Sequence, residues 1–249
     1  MLRVDPRNPR AEQAAAELGR RIDLDALPPD LCIVIGGDGW MLACIRELGS
    51  APTYLGINRG HLGFLLNEAA AIDAVAAQLE AGAWHVARFP RLHAEVRAPG
   101  GATTETLAVN DVYVERSTGQ TAHLRLAVDG DVLVERVVCD GVVVATALGS
   151  TAYSFSAGGV PCHPAVRAVQ VTPIAPHAPR LSPVLLPHGV VVELDALALD
   201  RRPVRAVADG IELGPVAQLR VSAAEDDVRL AFFAGHTFTR SMLRKVLRR

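Results

Sequence analysis

Residues 31–40 read Leu-Cys-Ile-Val-Ile-Gly-Gly-Asp-Gly-Trp, and this stretch decides the fold of the first part of the chain. Its five leading apolar residues, rich in β-branched types, predict a buried strand of a parallel sheet. Met41, Leu42 and Ile45 follow at helical spacing, so the glycines predict a turn from strand to helix. Because glycine lets a ligand approach the backbone, and a helix N-terminus attracts anions, this turn is a candidate phosphate site.

Asp38 is the unusual member of this turn. A carboxylate directed into a phosphate site repels the ligand unless it binds a metal ion or accepts a proton from a reacting hydroxyl. The alternative is a purely structural turn, in which the Asp38 side chain caps the helix. The stretch alone leaves both interpretations open.

The composition indicates a globular protein of one large domain or two small ones, since 50% of the 249 residues are hydrophobic and 21% are charged. A formal net charge of −2 gives no basic field for nucleic acid and no attraction to acidic membranes. No apolar run reaches about 18 residues, and the N-terminus lacks the apolar core of a signal peptide. The four cysteines show no C-x-x-C spacing, so we expect no disulfide and no zinc site. We therefore expect a cytoplasmic protein with no nucleic-acid and no membrane partner.

The first third of the chain alternates between strand and helix. Residues 53–58 predict a second strand, and residues 59–65 form a second glycine-rich loop after it. Residues 9–22 and 70–81 predict helices. This alternation is typical of an open parallel α/β sheet, in which both glycine-rich loops lie at the carboxyl edge of the strands.

Beyond about residue 88 the pattern changes to short alternating runs separated by turn signals. Asp129 and Gly130, between two such runs, predict a β-hairpin. Further strands are predicted over residues 124–128, 137–145, 190–194, 204–208 and 219–223. The pattern therefore predicts a β-rich second domain, followed by a basic helix over residues 237–249 whose charges are solvated.

Four further patches carry polar side chains at strand ends. They are Asn110-Asp111, Asp140-Gly141, the hydroxyl-rich residues 146–154, and Asp209-Gly210. Hydroxyls around a glycine at the start of a helix can bind a phosphate or a ribose, but the same pattern is typical of a helix cap. The other three patches are turn signals when each is considered alone.

Several common enzyme motifs are absent from the sequence. There is no G-x-S-x-G nucleophile elbow, no G-x-G-x-x-G after a strand, and no Walker A motif with its lysine. A hydrolase of the α/β type, an ordinary dehydrogenase and a P-loop enzyme are therefore excluded, and a nucleotide site must be built by other means.

Taken together, these patches resemble the NAD kinase family, the enzymes that phosphorylate the adenosine ribose 2′-hydroxyl of NAD to give NADP. GGDG also marks diacylglycerol kinases and phosphofructokinases, whereas the patches at residues 149–153 and 172–177 are more specific. The resemblance covers about residues 31–247, and its motifs occur in the family's order. They are Gly36-Gly37-Asp38-Gly39, residues 55–65, Asn110-Asp111, Asp140-Gly141, Gly149-Ser150-Thr151-Ala152-Tyr153, Gly158-Gly159, His163-Pro164 and residues 172–177.

The resemblance implies a fold of the α/β plus all-β class. An N-terminal open parallel α/β nucleotide-binding domain would comprise residues 1–88 and 236–249, because the C-terminal helical segment of the family returns to the first domain. A β-rich NAD-binding domain would comprise residues 89–235. The family forms homodimers or homotetramers, so the resemblance implies a homo-oligomer.

The resemblance also implies a role for each site residue. Asp38 would act on the ribose 2′-hydroxyl as general base or through Mg²⁺, while Gly37 and Gly39 would leave room for the phosphates of ATP or inorganic polyphosphate. Asn110 and Asp111 would hydrogen-bond NAD. The other implied contacts are Asp140 at the nicotinamide ribose or carboxamide, Thr151, Ala152, Tyr153 and Ser156 on the adenine side, Ala175 on a ring, and Asp209 from a neighbouring subunit.

The sequence departs from the family pattern at several positions. Trp40 replaces the threonine that usually follows GGDG, and Asp111 replaces a glutamate. Ala147 and Leu148 replace a Pro-Thr pair, and the opening strand of the family is not evident in residues 2–4. Two alternatives therefore stay beside the NAD kinase interpretation: a non-catalytic NAD(H)- or NADP-binding regulator, and another GGDG-type kinase acting on a lipid or sugar phosphate.

Overall fold

A computed structural model describes residues 1–60, 63–68 and 71–247, which divide into two compact units. One unit comprises Met1–Phe89 and Asp227–Arg249, and the other comprises Pro90–Asp226. His61 and Leu62 of the predicted glycine-rich loop, Ala70 of a predicted helix, and the last two residues of the predicted basic helix lie outside the described residues. Within the described part of the chain, no helix is long and apolar enough to cross a membrane.

The helices are α1 (Pro9–Gly19), α2 (Asp38–Leu48), α3 (Ile72–Glu80), α4 (Tyr153–Ser156) and α5 (Phe238–Leu247). The strands are β1 (Leu2–Val4), β2 (Leu31–Gly36), β3 (Thr53–Asn58), β4 (Trp84–Arg97), β5 (Thr103–Ala108), β6 (Asp111–Arg116), β7 (Ala122–Val128), β8 (Asp131–Cys139), β9 (Gly141–Thr146), β10 (Ala168–Ile174), β11 (Val184–Pro187), β12 (Val192–Ala196), β13 (Val204–Ala208), β14 (Ile211–Pro215) and β15 (Gln218–Phe233).

The first unit contains a parallel sheet in the order β1-β2-β3-β15, to which β15 contributes its last residues. All six residues of β2 are buried, as are all six of β3, and burial on both faces explains the continuous apolar run of β2. Leu31, Ile33 and Ile35 pack with residues of α1 and α3 in one apolar cluster. The predicted open parallel α/β sheet is confirmed.

Two predictions for this unit need correction. The strand β1 exists and pairs in parallel with β2, with Leu2 opposite Ile33; three residues are too few to show a pattern in the sequence. The first helix ends at Gly19 rather than at residue 22. Its start agrees with its signals, because the Asn8 side chain accepts from the Arg10 N–H and Pro9 occupies the first turn.

The second unit contains two antiparallel sheets. One has six strands in the order β11-β10-β9-β6-β13-β14, and the other joins β15, β12, β7 and β8, with β4 pairing to β15 and β5. Buried residues from both sheets, including Val112, Val142 and Leu194, form one apolar cluster, so the two sheets pack face to face. The predicted β-rich second part of the chain is therefore confirmed.

The predicted strand over residues 137–145 is in fact two strands. It is interrupted at Asp140, where the chain passes from β8 in one sheet to β9 in the other. The apolar residues on both sides of Asp140 suggest one strand, because a single polar residue does not show that the chain changes sheet. The strand predicted over residues 219–223 is the middle of the much longer β15.

Two Asp-Gly turns close hairpins in this unit. Asp129 and Gly130 join β7 to β8 with φ of 52° and 84°, and Asp209 and Gly210 join β13 to β14 with φ of 46° and 77°. Positive φ at both central residues is the signature of the type I′ turn, which matches the twist of the flanking strands. Both hairpins were predicted from the same two-residue signal.

Candidate functional site

Asp38 is the first residue of α2 and does not cap it. The cap position is Gly37, which makes no side-chain cap hydrogen bond. The Asp38 carboxylate instead accepts from the N–H of Phe64, at 2.8 and 2.9 Å, and from the N–H of Leu65, at 3.0 Å. The helix-cap interpretation of Asp38 is therefore wrong, because backbone groups of the second glycine-rich loop hold this carboxylate.

The two glycine-rich loops of the first unit approach each other through their backbones. A Cβ on Gly60 would lie 3.4 Å from the Gly37 Cα, and a Cβ on Gly39 would meet nothing within 4 Å. Asn58 supports the approach, because its side-chain oxygen accepts from the Gly60 N–H at 2.8 Å. The exposed backbone of Gly39 thus leaves space for a ligand at the N-terminus of α2.

Trp40 fills the space beside this loop. A Cβ on Gly36 would lie 3.0 Å from the Trp40 ring, so the indole packs directly on the loop backbone. Its Nε1 is buried and has no hydrogen-bond partner among the described residues. Leaving such a donor unpaired costs about 1–3 kcal/mol. Trp40 therefore supplies bulk beside the loop and leaves its own donor unpaired among the described residues.

In the second unit, Asn110 and Asp111 lie in a turn whose backbone is hydrogen-bonded to side chains of two other segments. The Asp209 carboxylate accepts from the N–H groups of Val109, Asn110 and Asp111 at 2.8, 2.8 and 3.2 Å. The Thr146 hydroxyl donates to the Val109 carbonyl at 2.7 Å. The turn signal at residues 110–111 therefore marks a fixed backbone conformation.

The residues after β9 pack directly on this turn. A Cβ on Gly149 would overlap the Asn110 carbonyl oxygen, so only glycine fits there. The Tyr153 N–H donates to the Asp111 carboxylate, and the Tyr153 ring lies 4.7 Å from the ring of Tyr113. The structure thus brings together residues that the sequence places about 40 positions apart.

The hydroxyls of residues 146–154 do not all have the same role. The Ser150 hydroxyl donates to the Ala147 carbonyl at 2.7 Å, and the Ser154 hydroxyl lies 2.6 Å from the Gln170 side chain. Thr151 is 1% exposed, yet its hydroxyl has no partner within the described part of the chain. An orphaned buried hydroxyl beside predicted binding residues needs a partner that the protein does not supply.

A cavity of about 320 Å³ in the second unit is lined by Asp140, Tyr153 and Ile174 and by charged residues of neighbouring strands. Arg116 pairs with Asp140 at 2.9 Å, and Arg205 pairs with Glu115 at 2.7 Å. Sequence reasoning missed both arginines. In the register of the paired strands β6 and β13, Arg205 lies opposite Glu115 and Arg116 lies opposite Val204, so their proximity becomes evident only once this register is known.

The remaining predicted residues lie in the same unit with different exposure. Ala175 is exposed and has a φ of 43°, which is rare for a residue other than glycine and which costs energy. It directly follows Ile174, whose carbonyl accepts from the Asp140 N–H at 2.9 Å. Ser156 is exposed at the end of α4, and Ala152 is half-buried at its start.

Burial raises the pKa of Asp111 to about 7, and the negative charge of Asp209 acts in the same direction. The hydrogen bond from the Tyr153 N–H lowers the pKa, but it does not offset the burial. Asp111 therefore titrates close to neutral pH, which is unusual for a carboxyl group and typical of a functional site.

Comparison with known proteins identifies the class of the chain. Residues 16–83 match the family described as the ATP-NAD kinase N-terminal domain, and residues 109–231 match the ATP-NAD kinase C-terminal domain. The NAD kinase of Brucella suis is 36% identical over 223 residues, covering 88% of this chain and 85% of its own. That of Caulobacter vibrioides is 34% identical and covers 94% and 91%.

Two solved structures are similar to the whole fold. The NAD kinase of Archaeoglobus fulgidus in complex with ATP has a TM-score of 0.76 and 27% identity, and the match covers 99% of this chain and 96% of that one. The yeast NADH kinase complexed with NADH also has a TM-score of 0.76, with 26% identity. That match covers 88% of this chain but 64% of the yeast chain.

The glycine-rich loop at a helix N-terminus and the two matched domains define a nucleotide-dependent phosphotransferase. The chain belongs to the ATP–NAD kinase family. The NAD kinase interpretation of the sequence is confirmed, and the alternatives of another GGDG-type kinase and of a non-catalytic regulator are set aside.

Proposed function

We propose that this enzyme transfers the terminal phosphoryl group of ATP to the 2′-hydroxyl of the adenosine ribose of NAD, with Asp38 as the general base. The observation that carries this proposal is the Asp38 carboxylate, fixed by the N–H groups of Phe64 and Leu65 beside the exposed backbone of Gly39. As the 2′-oxygen bonds to phosphorus, the Asp38 carboxylate takes its proton, and ADP leaves with the electrons of the broken P–O bond. A positioned base of this kind contributes about 10²–10⁴-fold to the rate.

Mg²⁺ is the proposed cofactor, and the residues present fit its usual chemistry. The described residues contain no group of three or more histidine, cysteine or acidic side chains that would form a protein-only metal site. Mg²⁺ at phosphoryl-transfer sites is held mainly by substrate phosphates and water, together with one or two carboxylates. Asp38 would contribute a carboxylate in the alternative in which it acts through Mg²⁺ and not as the base, and the ion would neutralise charge on the donor phosphates.

The second unit would bind NAD. Asn110 and Asp111 would hydrogen-bond the dinucleotide, and the orphaned Thr151 hydroxyl would find its partner there. The other proposed contacts are Asp140, Ala152, Tyr153, Ser156 and Ala175. Contacts within the second unit support Asp111, Asp140 and Tyr153 as one group, since Tyr153 lines the cavity with Asp140 and its N–H donates to Asp111.

A homodimer or homotetramer is part of the proposal, as in the family that the sequence resembles. The resemblance predicts a contribution of Asp209 to the site of a neighbouring subunit, and mixing of variant subunits distinguishes this role from a role within its own chain. The cytoplasmic location stays a prediction.

The direct test is NADP formation by the purified protein with NAD and Mg²⁺, with ATP in one reaction and inorganic polyphosphate in another. We expect NADP in the ATP reaction, and polyphosphate is the alternative donor. No NADP in either reaction, together with stabilisation of the protein by NAD in a thermal denaturation assay, would favour the non-catalytic regulator. No NADP and no stabilisation would contradict the proposal altogether.

The raised pKa of Asp111 predicts how stability depends on pH. An ordinary aspartate titrates at about 4, whereas Asp111 titrates at about 7 in the folded protein, so the folded state binds the extra proton between these values. The free energy of unfolding contributed by this group therefore falls as pH rises from about 4 to about 7. Urea denaturation between pH 5 and 8 should show this slope in the wild type and a weaker slope in Asp111→Asn.

The control for this experiment is Asp200→Asn, which changes an aspartate whose side chain is 78% exposed. Asp200→Asn should keep the slope of the wild type. Equal slopes in the wild type and Asp111→Asn would contradict the assignment of near-neutral titration to Asp111.

A further inference from the structure

The Asp209 carboxylate fills a pocket formed by three consecutive backbone N–H groups. Its two oxygens accept from Val109, Asn110 and Asp111, and its own N–H donates to the Asp111 carbonyl at 3.0 Å. Successive N–H groups that point to one side form a concave anion site, often called a nest. Here the anion that fills the nest is a side chain of the same chain.

The conformation of Asp209 is adapted to this contact. It occupies the first central position of a type I′ turn with a φ of 46°, a region that aspartate tolerates better than most residues. The turn is clamped by the pairing of β13 with β14 on one side and of β13 with β6 on the other. The carboxylate is thus presented to the nest by a rigid hairpin.

Two of the three N–H groups of the nest belong to Asn110 and Asp111, whose side chains are proposed to hydrogen-bond NAD. Since the N–H groups of these residues are held by Asp209, the backbone positions from which their side chains project are held as well. We propose that Asp209 is a positioning residue for the NAD-binding turn at Asn110 and Asp111 of its own chain. This inference rests on the proposed function, and it gives Asp209 a role that differs from donation to a neighbouring subunit.

The same placement has an electrostatic consequence. The negative charge of Asp209 is one cause of the raised pKa of Asp111. Among the described residues, the phenols of Tyr113 and Tyr153 also interact with Asp111, and both are neutral near pH 7. Removing the Asp209 charge should therefore move the titration of Asp111 to lower pH.

The chain offers a matched control in its second Asp-Gly hairpin. Asp129 also occupies the first position of a type I′ turn, with a φ of 52°, and its carboxylate accepts from the Val191 N–H at 2.8 Å. Among the described residues, no hydrogen bond joins Asp129 to a proposed NAD contact. Asp129→Ala and Asp209→Ala therefore remove the same kind of turn residue, but only Asp209 has the proposed positioning role.

The experiment compares Asp209→Ala, Asp209→Asn and Asp129→Ala with the wild type in steady-state kinetics with varied NAD. We expect Asp209→Ala to raise the KM for NAD about tenfold or more with a much smaller change in kcat, because three hydrogen bonds that orient the turn are lost. Asp209→Asn retains one accepting oxygen and should give an intermediate KM. Asp129→Ala should keep the KM of the wild type.

A second measurement separates positioning from general destabilisation. In urea denaturation between pH 5 and 8, the slope assigned to Asp111 should move to lower pH in both Asp209 variants and stay unchanged in Asp129→Ala. This readout needs no activity, so it remains informative if the alanine variant is inactive, and Asp209→Asn remains available if that variant does not fold.

Three results would overturn the inference. The first is an unchanged KM in Asp209→Ala, and the second is an equal rise in Asp129→Ala. The third is recovery of activity when Asp209→Ala and Asp111→Asn subunits are mixed, because this would mean that Asp209 acts across subunits. An inactive wild type that does not bind NAD would instead contradict the proposed function.

Discussion

Asp38→Asn should lower kcat by about 10²–10⁴-fold, the contribution typical of a positioned general base. The amide has the size of the carboxylate but cannot take a proton from the 2′-hydroxyl, and it is a poorer ligand for Mg²⁺. Because Asp38 lies on the first unit and the proposed NAD contacts lie on the second, the affinity for NAD should stay within several-fold. NADP formation and NAD titration on the same preparation measure the two effects separately.

A loss of local structure must be distinguished from a loss of the base. The asparagine can present its NH₂ group to the N–H groups of Phe64 and Leu65, which would repel it. Thermal denaturation therefore accompanies the kinetics, with Asp23→Asn as the control, because the exposed Asp23 also accepts a backbone N–H, that of Asp25 at 3.0 Å. If Asp38→Asn kept wild-type turnover, Asp38 would be neither the base nor part of the metal site.

Gly149→Ala should strongly reduce both the stability of the second unit and the affinity for NAD. A Cβ at this position would overlap the carbonyl oxygen of Asn110. Because hydrogen bonds hold the turn at Asn110, its backbone cannot move away without a large cost in free energy. Overpacking of this kind costs about 1–3 kcal/mol and sometimes more. If the turn moves to relieve the overlap, the side chains of Asn110 and Asp111 move with it. The variant protein that still folds should therefore bind NAD at least about tenfold more weakly.

The control for this substitution is Gly119→Ala, because a Cβ on Gly119 would meet nothing within 4 Å. Gly119→Ala should keep the midpoint of thermal denaturation and the NAD affinity of the wild type. A Gly149→Ala protein with wild-type stability and NAD affinity would show that the segment at Gly149 can move away from the turn at Asn110 without loss of stability or binding. This would contradict the proposed coupling of the two segments.

The sequence predicted the local features of the fold well because they depend on local physics. The buried strand and glycine turn at residues 31–40 and the Asp-Gly hairpins follow from side-chain periodicity and turn preferences. The strand β1 was missed because it is too short for a pattern, and the break at Asp140 was missed because one polar residue between apolar runs does not show a change of sheet. Both depend on pairing with strands far away in sequence.

The residues of the candidate site likewise divide into those that the sequence predicted and those that it did not. Asp38 and the Asn110-Asp111 pair were found because polar residues at strand ends stand out against apolar neighbours. The partners that hold them, the N–H groups of Phe64 and Leu65 and the carboxylate of Asp209, depend on the tertiary fold. Arg116 was missed for the same reason, since an arginine at the end of a strand is ordinary until Asp140 is seen beside it.

The crossing of the chain at Asp140 also restricts how this protein can change in evolution. Its N–H is bonded to the Ile174 carbonyl and its carbonyl to the Arg116 N–H, and the next residue, Gly141, packs against the backbone of Val114. An insertion or deletion here would shift the register of β9, whose six residues are all buried. Length variation should therefore accumulate at exposed hairpin ends such as Gly100, while the crossing keeps a constant length.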